Sequence, residues 1–198
     1  MKCFFFAFIN YYENLPFNIP LSWQFEYLKN LCEYIHRGKS PQYGDVSSVP
    51  IIAQKCNQWN GINLTKCLFA KESFIAKYST EHYIQLKDII INSTGTGTVG
   101  RTGFVTNDLF LNYKNIVVDS HVTIVRCSRL IYSDYIYCFL ISPHIQSNIE
   151  DICTGSTNQI ELNTSTICNY IVPLPPIKEQ IRIVTKINQL LQIIAQIS

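Results

Sequence analysis

The sequence lacks the residue patterns that most metal-binding and catalytic proteins need. Its eight cysteines include no Cys-x-x-Cys pair, and no histidine stands at zinc-finger spacing from a cysteine pair. It has no complete Gly-x4-Gly-Lys-Ser/Thr phosphate loop, no Gly-x-Ser-x-Gly elbow and no acidic-plus-lysine cluster typical of nucleases. Asp119-Ser120-His121 contains triad residue types, but adjacency in sequence is not triad geometry. We therefore predict no catalytic residues, no metal site and no cofactor of its own.

Charge of either sign is also scarce. Charged residues make up 15% of the chain, and the formal net charge is +2. This balance excludes a protein that binds polyanions through a large excess of lysine. A nucleic-acid partner is permitted only if basic side chains cluster in space. The hydrophobic content of 47% excludes a disordered chain.

Long apolar runs of the kind that cross membranes are missing as well. Residues 3–9 form a seven-residue apolar stretch, which is too short to span a bilayer and has no small-residue cleavage site after it. We interpret residues 1–14 as a leader and predict no membrane partner. The even number of cysteines permits disulfides. However, disulfide frameworks are usually shorter and poorer in apolar residues, so reduced, buried thiols in the cytoplasm are favoured.

The 198 residues suffice for one domain with a core and a short appendage. Short apolar runs bounded by turn-forming residues predict strands in residues 83–92, 104–105, 116–118 and 122–125. Residues 23–32 fit a strand or a short helix equally well.

One helix is expected late in the domain. The apolar spacing predicts a helix over residues 132–145, with Ser133 or Asp134 as its cap. Pro143 must end or kink this helix, because proline has no backbone N–H and clashes with the preceding turn.

The C-terminus carries the clearest helical pattern in the chain. Residues 173–176, Pro-Leu-Pro-Pro, predict a stiff extended approach with Pro176 as first helical residue, and no glycine or proline follows. We divide the chain into a domain at 1–172 and a helix of ~34 Å at 173–198. Apolar residues recur at coiled-coil spacing: Val184, Ile187, Leu191 and Ile194. Two interpretations stay open: the helix packs on its own domain, or it pairs with a partner.

A glycine-rich motif in the middle of the chain also allows two interpretations. Residues 95–100, Gly-Thr-Gly-Thr-Val-Gly, match the dinucleotide-binding pattern, and Asp119 stands at about the distance expected for a ribose contact. A nucleotide-binding enzyme is therefore the alternative function. That site needs a helix to begin at the third glycine. Residues 101–108 are instead rich in β-branched and turn-forming residues, which favours a hairpin.

Several stretches together resemble the specificity subunits of type I restriction–modification systems. Residues 15–23, Leu-Pro-Phe-Asn-Ile-Pro-Leu-Ser-Trp, are similar to the phrase that opens that family's recognition domains, and Arg-Gly-Lys-Ser-Pro follows at 37–41. Residues 88–101 resemble its glycine-rich turn, and residues 155–159 are similar to a later loop. Residues 172–184, Val-Pro-Leu-Pro-Pro-Ile-Lys-Glu-Gln-Ile-Arg-Ile-Val, resemble the start of its conserved helix.

The resemblance implies an α+β fold: a β-rich, double-β-helix-like target-recognition domain with one long C-terminal coiled-coil helix. It implies sequence-specific binding to half of a bipartite target in double-stranded DNA, by a subunit that is not itself an enzyme. The implied partners are modification subunits and a restriction–motor subunit. S-adenosylmethionine, ATP and magnesium would be bound by those partners.

One departure from the family concerns the number of domains. Family members usually carry two recognition domains and two helices, whereas this sequence has one of each. One recognition domain with one helix is consistent with a natural half-subunit, with a truncated gene and with a fragment. In each case we expect a homodimer through the helix seam defined above.

The predicted DNA-contacting residues lie in four regions, in which Lys and Arg would hold phosphates while Asn and Gln would read adenine edges. They are Arg37, Lys39, Ser40, Lys55, Asn57, Thr96, Thr98, Arg101, Thr157, Asn158 and Gln159.

Overall fold

A computed structural model describes residues 17–44, 48–155 and 160–197. The predicted leader, residues 1–14, lies outside this part. The strands in the described part are β1 (Gln24–Tyr27), β2 (Cys32–Arg37), β3 (Tyr43–Gly44), β4 (Pro50–Ile52), β5 (Asn57–Gln58), β6 (Gly61–Ile62), β7 (Leu68–Ala70), β8 (Ile89–Asn92), β9 (Thr102–Phe104), β10 (Val117–Val118), β11 (Val122–Cys127) and β12 (Ile171–Leu174). The α-helices are α1 (Leu28–Leu31), α2 (Glu72–Ile75), α3 (Ser133–Leu140), α4 (Pro143–Gln146), α5 (Ile149–Ile152), α6 (Thr164–Cys168) and α7 (Ile177–Ile197).

A four-stranded antiparallel sheet in the order β2-β11-β8-β9 forms the centre of the domain. A second sheet in the order β10-β4-β7-β3 contains the parallel pair β10–β4, while β1 pairs with β12 and β5 with β6. The fold is thus mixed α and β with a long C-terminal helix.

The central sheet is covered on both faces, which explains the continuous apolar run in β8. Ile89 and Ile91 pack into a cluster with residues of α3 and α7. Ile90 points to the opposite face and packs with Ile52 and Ile124 in a second cluster. Successive strand residues alternate between faces, so a run of apolar residues is what two buried faces require.

Several sequence-based boundaries need correction. The strand predicted over residues 83–92 is confined to its last four residues. The reason is a turn closed by Asp88, whose carboxylate accepts the backbone N–H of Gln85, with Lys87 in the left-handed region at φ 70°. The segment at 23–32, predicted as a strand or a short helix, contains both, since β1 continues directly into α1.

The predicted helix over residues 132–145 is two helices, because Pro143 ends the first and serves as the first residue of the second. The predicted caps Ser133 and Asp134 are wrong: Tyr132 is the N-cap residue, and it makes no side-chain cap bond.

The approach to the long helix is part of a sheet. Residues 171–174 form β12, which crosses the predicted domain boundary at 172/173 and pairs with β1 along its whole length. Pro176 precedes the helix rather than beginning it, and its carbonyl accepts the N–H of Gln180 at 3.1 Å. Among the described residues, no helix is long and apolar enough to cross a membrane.

Helix α7 is anchored only near its start. Gln180 is buried; its side chain donates to the carbonyl of Pro175 at 2.9 Å and accepts the N–H of Tyr132 at 3.3 Å. Val184 is 3% exposed and belongs to the domain core, so it is removed from the predicted pairing seam. Leu191 and Ile194 are 56% and 61% exposed. The first half of the helix therefore packs on its own domain, as one of the two interpretations predicted, while the second half is exposed and its pairing with a partner stays a prediction.

Candidate nucleic-acid interface

Three loops meet at one end of the central sheet. Strands β2 and β8 end there, while β11 and β9 begin there, because the strands are antiparallel and Val122 lies opposite Asn92. The loops comprise residues 37–40, 93–101 and 119–121, and we call this surface the loop end. Backbone bonds join them: the N–H of Ser93 donates to the carbonyl of His121 at 2.7 Å, and that of Gly38 to Val122 at 3.0 Å.

The glycine-rich motif is a hairpin turn between β8 and β9, as the sequence predicted. Gly95, Gly97 and Gly100 all have positive φ, which favours glycine. At Gly100 a side chain would also meet Ile149, whose Cδ1 lies 2.1 Å from a built Cβ. No helix begins at this glycine, and the turn lines neither of two surface cavities of about 810 and 700 Å³. The geometry that a bound pyrophosphate needs is therefore missing from the turn.

Asn57 is a structural residue that joins the β5–β6 hairpin to the glycine-rich turn. It is completely buried, and its Nδ2 donates to Asn92 Oδ1 at 3.0 Å and to the carbonyl of Arg101 at 2.9 Å. A base contact needs an exposed amide. Asn57 is therefore removed from the predicted DNA-contacting set, and the buried amide pair explains why a polar residue stands here.

Arg101 occupies most of its hydrogen-bonding capacity inside the protein. Its Nη1 donates to Gln58 Oε1 at 2.9 Å and to the carbonyl of Asn57 at 3.3 Å, and its Nη2 donates to the carbonyl of Gly97 at 3.4 Å. Nε is buried. Of the five N–H groups of a guanidinium, one on Nη2 remains for an outside acceptor. A two-bond contact to guanine needs two, so this geometry fits a brace or a single phosphate contact.

Arg37 is also tied down. It donates to the carbonyl of Leu162 at 3.0 Å and forms an ion pair with Glu161 at 2.7 Å. Glu161 pairs in turn with Thr94 at the base of the glycine-rich turn. Arg37 thus links the loop end to the segment that follows residues 156–159. Thr157, Asn158 and Gln159 lie outside the described residues.

The remaining predicted residues occupy more open positions. Lys39 donates to the carbonyl of Lys77 at 2.6 Å, and Ser40 contacts Ser120 at 3.3 Å between hydroxyl oxygens. The other predicted residues at this surface comprise exposed Lys55 and Thr96 and half-buried Thr98. The structure therefore brings the first three predicted regions, and the flank of the fourth, to one surface.

Of the residues that support this surface from behind, Gln54 lies outside the four predicted regions, whereas Gln58 and Trp59 lie in the predicted region at residues 55–59 without having been named as contacts. The side chain of Gln54 bonds the carbonyl of Thr94, and Gln58 spans from Arg101 to the carbonyl of Lys55. Gln54 lies 40 residues from Thr94 and Gln58 lies 43 residues from Arg101, so no local pattern predicts these two contacts. Trp59 stacks on Arg101 with the guanidinium 5.7 Å from the ring centroid. The signal that the sequence offers here is a tryptophan directly before the turn-forming pair Asn60-Gly61.

Three titratable groups beneath the surface, Asp119, Cys56 and Cys67, have shifted pKa values. Burial raises the pKa of Asp119, whose carboxylate accepts the N–H of His121 at 2.9 Å. Cys56 and Cys67 lie with sulfur atoms 3.4 Å apart at the base of the β5–β6 hairpin. The hydrogen bond from Cys67 lowers the pKa of Cys56 to about 7, and the same contact raises the pKa of Cys67. The described part contains no group of three residues able to hold a metal ion.

Comparison with known families decides what this domain is. The model of the type I restriction modification DNA specificity domain matches residues 20–198. The chain belongs to this family. The resemblance identified from the sequence is therefore confirmed. A search of curated proteins found no match.

Solved structures show the same fold as this specificity domain. A chain in a structure of a type I R-M system has a TM-score of 0.68 at 17% identity, over 92% of this chain and 41% of that one. The HsdS subunit from Thermoanaerobacter tengcongensis has a TM-score of 0.66 at 17% identity, over 93% and 41%. The S subunit from M. genitalium has a TM-score of 0.55 at 14% identity, over 89% and 40%. This specificity domain thus spans about two fifths of the length of these chains.

Proposed function

We propose that this specificity domain binds double-stranded DNA sequence-specifically through the loop end and recognises one half of a bipartite target. The observation that carries the proposal is the convergence of the predicted contact regions on one surface, in a chain of a DNA specificity family. Exposed Lys55 is placed to contact phosphates, which fix the register of a protein on the duplex. Affinity should fall steeply with salt, because each phosphate contact releases counterions.

The rigidity of the loop end supports the same function. The glycine-rich turn, the β5–β6 hairpin and the segment at Glu161 are connected by side-chain hydrogen bonds and an ion pair. Recognition loops that are already ordered lose less conformational entropy when they bind. The double-β-helix-like arrangement and the coiled coil belong to this proposal as well.

The proposed partners are modification subunits and a restriction–motor subunit, in the cytoplasm. S-adenosylmethionine, ATP and magnesium would be bound by those partners, and the specificity domain itself would be non-catalytic. The similarity in fold to a chain from a type I R-M system, for which complex assembly has been described, supports docking as the role. Helix α7 would pair with the same helix of a second copy, with a two-fold axis that makes the helices antiparallel.

The deciding experiment is selection of binding sequences from a random duplex library, with the purified chain and a modification subunit. We expect one enriched motif. Enrichment of no motif would refute sequence-specific recognition. A parallel assay should find no methyl transfer to DNA by the chain alone. Titration with NAD, FAD and ATP tests the alternative enzyme, and tight binding of any of the three would favour it.

A further inference from the structure

The tip of the β5–β6 hairpin is the most exposed aromatic feature beside the loop end. Asn57 pairs with Ile62 and Gln58 with Gly61, so Trp59 and Asn60 form a two-residue turn. The ring of Trp59 is 61% exposed. Large aromatic side chains are usually mostly buried, and an exposed one on a rigid support is typical of a contact residue.

The base of this hairpin is held firmly. Asn57 is bonded to Asn92 and to the backbone of Arg101, and replacement of Gly103 would place a Cβ 2.2 Å from Asn57 Oδ1. Strand β9 therefore packs directly against the hairpin. The tip projects from this fixed base rather than from a loose loop.

Arg101 supports the tip from below. Its guanidinium is fixed by Gln58 and by the backbone carbonyls of Asn57 and Gly97, and it lies against the face of Trp59. Cation–π contact with Arg orients the indole. Because Arg101 has one available N–H left, the residues that project beyond it are better placed to read bases.

The amide of Asn60 is unoccupied. It is exposed, and it has no hydrogen-bond partner among the residues that the structure describes. An amide that offers both a donor and an acceptor matches the N6 and N7 positions of adenine in the major groove. An apolar ring beside it matches the 5-methyl group of thymine. The major groove is wide enough to admit a two-stranded ribbon.

We propose that the Trp59–Asn60 tip reads A·T base pairs in the major groove. Asn60 forms two hydrogen bonds with one adenine, and Trp59 covers the methyl group of a thymine in the same or the adjacent pair. This inference rests on the proposed function and adds to it the two residues that select the base.

The test uses the duplex motif obtained by selection and measures affinity by fluorescence anisotropy at fixed salt. Asn60→Ala should bind about tenfold more weakly, the loss expected for one two-bond base contact. Replacing the contacted adenine by 7-deazaadenine should weaken the wild-type protein by a similar factor and should not weaken Asn60→Ala further. Replacing the contacted thymine by deoxyuridine should weaken the wild-type protein and have no effect on Trp59→Ala.

Asn112→Ala is the matched control, since Asn112 is an exposed amide that lines the same groove as Asn60. It should bind the motif like the wild-type protein. The thermal melts of Asn60→Ala and Asn112→Ala should coincide with that of the wild-type protein. For the tryptophan, Trp59→Phe keeps an aromatic face on Arg101 and should restore part of the affinity that Trp59→Ala loses.

The outcomes separate the two levels of the argument. One outcome is a selected motif at which Asn60→Ala and 7-deazaadenine weaken the affinity independently, so that the two factors multiply at every adenine. In that case the tip does not read bases, and the proposed function stands. If selection gives no motif, the proposed function fails and this inference fails with it. Loss of affinity in Asn112→Ala equal to that in Asn60→Ala would also overturn the assignment.

Discussion

Replacing Leu191 by aspartate should turn a dimer of this chain into a folded monomer. The reason lies in the two halves of α7. Val184 is buried in the core, whereas the leucines and isoleucines from Leu190 onward are between 48% and 81% exposed. Leu190, Leu191, Ile194 and Ile197 recur at spacings of one, three and three residues, so they share one broad face.

The exposed fractions give the size of the effect. Full burial of a Leu or Ile side chain stabilises by about 1.5–3 kcal/mol. Leu191 is 56% exposed, so covering it contributes roughly 1–1.5 kcal/mol in each copy. Aspartate forfeits that contribution twice and places two carboxylates in the seam, each at a desolvation cost of at least about 1 kcal/mol. The dimer should weaken by roughly 4 kcal/mol or more, close to a thousandfold in dissociation constant.

Sedimentation velocity at tens of micromolar protein measures this directly. The wild-type chain should sediment as a dimer and Leu191→Asp as a monomer with an unchanged circular dichroism spectrum. Gln192→Asp makes the same change of charge at the neighbouring position on the polar side of the helix, and it should remain dimeric. A wild-type chain that sediments as a monomer at this concentration would refute self-pairing through α7.

Three further predictions follow from the domain itself. Arg101→Ala should weaken binding to the selected motif more than binding to other duplexes, because Arg101 orients the tip that we propose reads bases. Its lost hydrogen bonds should also lower stability by about 2 kcal/mol, seen as a fall in Tm of about 5 °C. Gly38→Ala should lower the free energy of unfolding by at least about 3 kcal/mol in urea denaturation, because its Cβ would lie 2.0 Å from the backbone oxygen of Val118; an unchanged urea midpoint would contradict the packing. Because burial raises the pKa of Asp119, the native state binds this proton more tightly than the unfolded state. Its stabilising effect is full below the ordinary pKa of 3.8 and is lost as pH rises through the raised value, so Asp119→Asn should flatten the decline in Tm that sets in as pH rises above 3.8.

The sequence predicted the elements whose signals are local. The apolar run of β8, the hairpin at residues 95–100 and the long helix all depend on neighbours within a few residues, and each was found. The strand expected to begin at residue 83 fails for a physical reason, because Asp88 closes a turn and forms an ion pair with Arg126 at 2.8 Å. Apolar periodicity contains no information about such a pairing across 38 residues.

The sequence predicted where the candidate site lies but not what its individual residues do. Glycine-rich and basic motifs indicated which loops matter, and antiparallel pairing brings those loops to one end of the sheet. The roles depend on burial and on partners distant in sequence. The sequence predicted Asn57 as a base-reading amide, but it is a buried connector; it predicted Arg101 as a phosphate-binding cation, but most of its donors form hydrogen bonds inside the protein.

The difference between the predicted and the observed roles of Asn57 and Arg101 has a general physical reason. A loop that reads a base must keep a polar side chain exposed and also fixed in position. An exposed side chain has few contacts of its own that could fix it. Polar residues behind it must supply the order through hydrogen bonds made within the protein, because a buried donor that loses its partner costs more than a hydrogen bond returns. Residue types alone therefore do not distinguish the residues that support the loop, the supports, from the residues that contact bases. Burial separates them here: the residues whose donors are used, Asn57, Gln58 and Arg101, are supports, and the exposed tip beyond them is where base specificity should change when the sequence changes.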